Sequence, residues 1–138
     1  MGVIEAIHRA AAHGAPMEPL EMVNIIADFG LEGDRQARAG RKGQVLVMPA
    51  EVLDDLDLTP GMVRENLTTR GVDVMALRVG DRLRVGPALL EVAKEATPCH
   101  HMDGVRDGLQ AELDGRRGML ARVLEGGPVR AGDLVEVL

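Results

Sequence analysis

Glycine and proline interrupt this chain so often that long uninterrupted elements are excluded: 17 glycines and 7 prolines are spread over 138 residues. Short apolar runs bounded by turn residues suit β-strands, whereas amphipathic helices need longer stretches. Strand-like runs fall at residues 3–7, 22–27, 44–48, 66–69, 82–85, 88–93, 119–124 and 129–138. The run at 44–48 is apolar after its first residue, as a strand buried on both faces would be. Gly86-Pro87 predicts a hairpin turn, and Gly126-Gly127-Pro128 joins the last two runs.

Two segments read as helices. Pro49 opens residues 50–58, where Val52, Leu53 and Leu56 share a face before Thr59-Pro60-Gly61. Residues 103–113 place Val105, Leu109 and Leu113 at i, i+4 and i+8, with Asp103 as the cap. Val79-Gly80-Asp81, followed by Leu83 and Val85, recurs as Ala131-Gly132-Asp133 followed by Val135 and Val137, marking two equivalent strand starts in a closed sheet. The expectation is one mostly β domain over residues 1–138, a β-barrel with a few short helices rather than a βαβ sandwich.

Phe29 is the only aromatic residue, so the core must come from Leu, Val, Ile, Met and Ala. Base-stacking platforms are missing, and a net charge of −6 opposes broad binding to nucleic acid or anionic lipid. No apolar run approaches the roughly 20 residues of a membrane span, and the first residues lack the charged and apolar regions of a signal peptide. A single cysteine excludes an intramolecular disulfide. These features predict a soluble cytoplasmic protein without nucleic-acid or membrane partners. The basic residues are fourteen arginines and two lysines, and arginine grips phosphate or carboxylate bidentately.

Four segments are not used up by strand and turn physics. Gly30-Leu31-Glu32-Gly33-Asp34-Arg35 is either a tight connection needing positive φ at Gly33 or, continuing into Arg38, Arg41 and Lys42, a basic loop able to reach an anion. In an extended strand Arg64, Asn66 and Thr68 would present a guanidinium, an amide and a hydroxyl on one face; the alternative is a salt-bridged arginine with Asn66 closing a turn. In Thr97-Pro98-Cys99-His100-His101 the lone thiol ends a strand with Thr97 and His101 on its face. It is either inert filling or a nucleophile, sulfur carrier or soft-metal ligand beside Arg64. One cysteine and adjacent histidines do not make a tetrahedral zinc site. Gly115-Arg116-Arg117-Gly118 is a solvated basic turn or a second anion contact.

The order of these segments resembles the MOSC domain, the C-terminal module of molybdenum-cofactor sulfurases, which also occurs as a free-standing small bacterial protein. The residues that carry the likeness are Gly-Ala-Pro-Met-Glu at 14–18, Gly-Leu-Glu-Gly-Asp-Arg at 30–35, Pro-Gly-Met-Val-Arg-Glu-Asn-Leu-Thr at 60–68, Gly-Asp-Arg-Leu-Arg-Val-Gly at 80–86 and Thr-Pro-Cys at 97–99. Gly-Arg-Arg-Gly-Met-Leu-Ala-Arg-Val-Leu-Glu-Gly-Gly and Ala-Gly-Asp complete it within 115–133.

The resemblance implies a barrel related to the pyruvate-kinase β-barrel domain and an association with the molybdenum cofactor, a phosphate-bearing pterin dithiolene. It implies that Cys99 carries sulfane sulfur or ligates molybdenum, that Arg64 holds the phosphate, and that Asn66 and Thr97 bond pterin or oxo groups. Arg35, Arg41 and Arg122 are further candidates for the anion. The implied activity is sulfur transfer or a molybdenum-cofactor-dependent reduction, with a cysteine desulfurase or redox protein as partner; a passive cofactor-binding module or an interaction scaffold are the alternatives. Gln36 stands where many relatives carry histidine, and the chain contains no pyridoxal-phosphate domain.

Overall fold

The computed structural model describes residues 1–138, and strands dominate it. The strands are β1 (Gly2–Arg9), β2 (Glu18–Leu20), β3 (Met22–Ile26), β4 (Gly30–Leu31), β5 (Val45–Pro49), β6 (Leu67–Arg70), β7 (Arg82–Val85), β8 (Ala88–Glu95), β9 (Met119–Glu125), β10 (Gly127–Arg130) and β11 (Leu134–Val137). The helices are α1 (Ala50–Asp55) and α2 (Leu109–Glu112), with 3₁₀ turns at Val74–Ala76 and His100–Gly104.

Seven strands close a barrel in the order β1, β6, β5, β9, β8, β7, β11, with β11 returning to β1. Only β5 and β6 run parallel, and α1 lies in the crossover between them. One edge of β1 is divided: Gly2 and Val3 pair with β11, while Ile7 to Arg9 pair with β2. Strands β10, β3 and β4 form a separate three-stranded sheet.

The barrel interior is filled by the larger of two apolar clusters, drawn from alternating positions such as Ile4, Leu67, Leu83, Val85, Leu90 and Ala121. A smaller cluster of Met48, Leu53, Leu58, Val63, Met102, Leu109 and Leu113 seats the helical segments on the outside of β5, and Cys99 packs against it. The strand at β5 is buried along its whole length because the barrel core takes one face and this second cluster the other.

The repeated Gly-Asp motif proves to be the same turn made twice. Asp81 Oδ2 accepts from the Arg78 amide and Asp133 Oδ2 from the Arg130 amide, each at 2.8 Å. Gly80 and Gly132 supply φ of +95° and +92° at the third turn position, and the strands that follow, β7 and β11, pair with each other.

Several expected boundaries shift for local reasons. The run 129–138 is two strands in different sheets, split by the turn at Ala131-Gly132-Asp133. Helix α1 stops at Asp55 because Asp57 takes φ of +57°, letting the Leu58 amide bond the Leu53 carbonyl and the Asp57 amide the Asp54 carbonyl, a Schellman closure with aspartate in the glycine position. Residues 103–113 do not form one helix: Gly108 sits at φ of +81° and breaks the segment, leaving Val105 exposed while Leu109 and Leu113 are buried. Strands β2 and β4 have three and two residues and no apolar periodicity to announce them.

Candidate functional site

A cleft of about 820 Å³ opens between the barrel wall at the end of β1, the loop before β2, the loop before β6 and the segment that follows β8. Its lining brings together all four histidines, the single cysteine and three arginines, Arg35, Arg64 and Arg117. No carboxylate lines it, although the chain carries 22 acidic residues. The surrounding electrostatics are therefore inverted inside the cleft, which attracts anions in a protein of net negative charge.

Each arginine arrives by a different local device. Arg35 follows a clasp between two loops, in which the Ala10 amide donates to Asp34 Oδ1 at 2.9 Å and the Arg35 amide to the Ala10 carbonyl at 2.8 Å. Its Nη1 lies 3.3 Å from His13 Nδ1. Arg64 sits at φ of +64°, an uncommon conformation for a residue with a side chain, at the end of consecutive tight turns from Thr59. That kink aims its guanidinium over the cleft, where Nη2 donates to the Ala15 carbonyl at 2.8 Å. Gly61, at φ of +91°, permits the approach, because a Cβ there would meet the His8 ring at 2.9 Å.

Arg117 reaches in from the turn after α2 and spans two carbonyls, with Nη1 donating to Thr97 at 3.0 Å and Nη2 to Val63 at 3.1 Å. Its Nε is buried and has no partner. Burial pushes the Arg117 guanidinium below the ordinary arginine value, with Arg35 and Arg64 adding to that effect and Cys99 and Glu65 opposing it. Arg64 is lowered as well, first by burial and then by Arg35, against Asp34. Three mutually repelling, partly desolvated cations form an arrangement that an anion would relieve.

Cys99 is half-buried, one side of it against the smaller apolar cluster and the other in the cleft. His100 and His101 follow it in a 3₁₀ turn with ring centroids 4.1 Å apart, and His13 meets His101 edge-on at 6.2 Å. No group of three or more histidine, cysteine, aspartate or glutamate side chains converges on a point where a metal ion would sit.

The structure thus gathers Cys99, Arg64 and Arg35 of the sequence-predicted residues and separates the others. Asn66 is 1% exposed and outside the cleft: its Oδ1 accepts from the Leu46 amide at 2.9 Å and its Nδ2 donates to the His8 carbonyl at 3.2 Å. The expected shared face of Arg64, Asn66 and Thr68 does not exist, because β6 begins only at Leu67 and Arg64 is kinked. Thr97 is exposed and faces a shallow neighbouring depression with Asp103 and Asp114, giving the cleft only its carbonyl through Arg117. Arg41 is exposed on the loop before β5, and Arg122 pairs with Asp28 at 3.2 Å; neither lines the cleft. Of the basic turn, Arg116 faces away to pair with Asp55, and Arg117 lines the cleft; the sequence marks it only as one of a doubled arginine between glycines.

Comparison with known proteins adds to this geometry. Residues 34–136 match the sequence model of the MOSC domain. Among solved structures, the YuaD protein from Bacillus subtilis superposes with a TM-score of 0.84 at 19% identity, covering 99% of this chain and 96% of that one. YiiM from Geobacillus stearothermophilus gives a TM-score of 0.77 at 18% identity over 100% and 75% of the two chains. YiiM from Escherichia coli gives 0.73 at 22% identity over 99% and 69%. No curated protein matches the chain.

Proposed function

This chain belongs to the MOSC domain family, which is linked to molybdenum-cofactor sulfurases, and from that membership we propose that its cleft binds the phosphate-bearing molybdenum cofactor and uses Cys99 as sulfur carrier or metal ligand. One observation carries the reading: the only thiol of the chain shares a cleft with three guanidinium groups and no carboxylate. The cleft lies within the size range of small-molecule sites.

The donor set suits the cofactor. Arg64 and Arg35, on facing loops, would hold the phosphate, and Arg117 would supply charge at the cleft floor next to Cys99. The Cys99 sulfur is the soft donor that molybdenum prefers. When bound, the cofactor would supply a redox-active metal centre.

As a carrier, Cys99 acts without a second catalytic cysteine. Its thiolate attacks the terminal sulfur of a protein persulfide, the new S–S bond forms on Cys99, and the donor's S–S bond breaks to release the donor thiolate. The exchange begins at Cys99 in the same cleft as Arg117 and Arg35. A cysteine desulfurase is the class of partner that provides such a persulfide, and a redox protein would serve the reductive alternative.

The deciding experiment is intact mass and metal analysis of protein purified anaerobically from cells that make the cofactor, with Cys99→Ser beside the wild type. A mass gain of one sulfur atom, or stoichiometric molybdenum, that disappears in the variant is the expected result. Wild type carrying neither sulfur nor molybdenum would overturn the reading.

A further inference from the structure

Apart from the three arginines and the thiol, the side chains lining the cleft are four imidazoles and the apolar Met17, Pro60, Met62, Met102 and Val105. No hydroxyl, amide or carboxylate side chain reaches it. Three of the imidazoles pack on one another, His13 edge-on to His101 at 6.2 Å and His100 tilted on His101 at 4.1 Å, so they offer ring surface as well as nitrogen. Positive charge is plentiful there, and other hydrogen-bonding groups are scarce.

The apolar side chains stand beside the arginine donors that remain open. Arg64 commits Nη2 to the Ala15 carbonyl and keeps Nε and Nη1, and Arg35 uses Nη1 on His13, whereas both terminal nitrogens of Arg117 are taken by carbonyls. Pro60 and Met62 belong to the same run of tight turns that ends in Arg64, and the Thr59 amide donates to Met62 Sδ at 3.3 Å, which holds the thioether in place. Val105 closes the 3₁₀ turn that follows Cys99, its amide donating to the Met102 carbonyl at 3.0 Å. The next residue, Arg106, ties that segment to the Leu56 carbonyl at 2.7 Å. Met62 and Val105 are 38% and 40% exposed, apolar surface that folding itself leaves uncovered.

We propose that Met62 and Val105 make the cleft selective for an anion carried on a flat or apolar body, such as an aryl phosphate, over one carried on a polyhydroxylated body, such as a sugar or glycerol phosphate. The inference rests on the cleft being the anion-binding site argued above and names the class of ligand it takes. An aromatic ring covers the two exposed side chains and removes their surface from water while its anion meets Arg64. The guanidinium plane itself stacks on aromatic faces. A polyol in the same place has its hydroxyls stripped of water against groups that return few hydrogen bonds, and that loss works against it.

Phenyl phosphate, glycerol 3-phosphate and inorganic phosphate are the probes, titrated by NMR into wild type, Met62→Gln, the double variant Met62→Gln/Val105→Thr and the cleft control Arg64→Ala. Wild type should bind phenyl phosphate at least tenfold more tightly than glycerol 3-phosphate. The double variant should cut that ratio to about threefold or less, with the single variant between, and because both positions are exposed the melting temperature should hold. Arg64→Ala should weaken all three probes. Equal affinity for the phenyl and glycerol esters in wild type, or a ratio that the double variant leaves intact, overturns the inference; the anion site survives that result as long as Arg64→Ala still weakens inorganic phosphate. Phosphate binding indifferent to Arg64→Ala removes the anion site, and both conclusions fall together.

Discussion

Arg64 and Asn66, two residues apart, do opposite work, and the difference comes from one backbone angle. The left-handed conformation at Arg64 throws its side chain into the cleft, while Asn66 turns inward and joins β1 to β5 through main-chain bonds. Replacing Asn66 by Ala leaves the Leu46 amide and the His8 carbonyl short of a partner in a buried place, so the loss should be roughly 2–4 kcal/mol of stability, read by urea unfolding. Arg64→Ala should instead leave unfolding nearly unchanged and weaken phosphate binding tenfold or more, about the worth of one charge-assisted hydrogen bond. Sequence alone could list the chemistry of Arg64, Asn66, Thr97 and Cys99, but alternation along a strand was the wrong guide where the strand had not yet begun. Arg117 was visible only as half of a basic turn, because nothing in Arg116-Arg117 says which of the two points inward.

At the scale of the element, the strands that sequence located well are those whose apolar pattern is dictated by the barrel wall: β7 matched its expected bounds and β5, β8 and β9 shifted by only a residue or two. The helices were overdrawn because their ends are set by single left-handed residues, Asp57 and Gly108, which periodicity cannot see. Asp57 is exposed in a glycine position at a helix C-terminus, so Asp57→Gly should stabilise the protein by about 0.5–1 kcal/mol in denaturant titration. The loop between β4 and β5 is pinned by the buried Gln44, whose Nε2 donates to Asp28 and to the Arg38 carbonyl while its Oε1 accepts from the Val123 amide. That bond from Gln44, with further help from Gly40 and Arg122, holds the Asp28 carboxyl below its usual value of 3.8. A carboxylate so depressed in the folded state supports stability above the ordinary aspartate range and withdraws that support as pH falls through the lowered value. Stability of Asp28→Asn should accordingly change less than that of wild type between neutral and strongly acid pH, as followed by unfolding at each pH.

For the whole molecule, the closed barrel was legible because short strands, frequent glycines and the repeated Gly-Asp turn all agree. The sequence also carried the net charge of −6, but not the segregation that keeps every carboxylate out of the cleft. A small dianion approaching this protein meets repulsion at long range and attraction only near the mouth. Raising ionic strength from about 10 to 100 mM shortens the screening length from roughly 30 to 10 Å and should hide the outer repulsion first. Stopped-flow binding of such an anion should therefore speed up over that range before slowing at higher salt, where a purely attractive surface would only slow. Strand β1 adds a mechanical corollary, since its first residues complete the ring against β11 and its far end carries His8 and the Ala10 clasp that seats Arg35. Damage at the front of that one strand would be felt at its back, and trimming the opening residues would loosen the seat of Arg35 before any side chain lining the cleft had been touched.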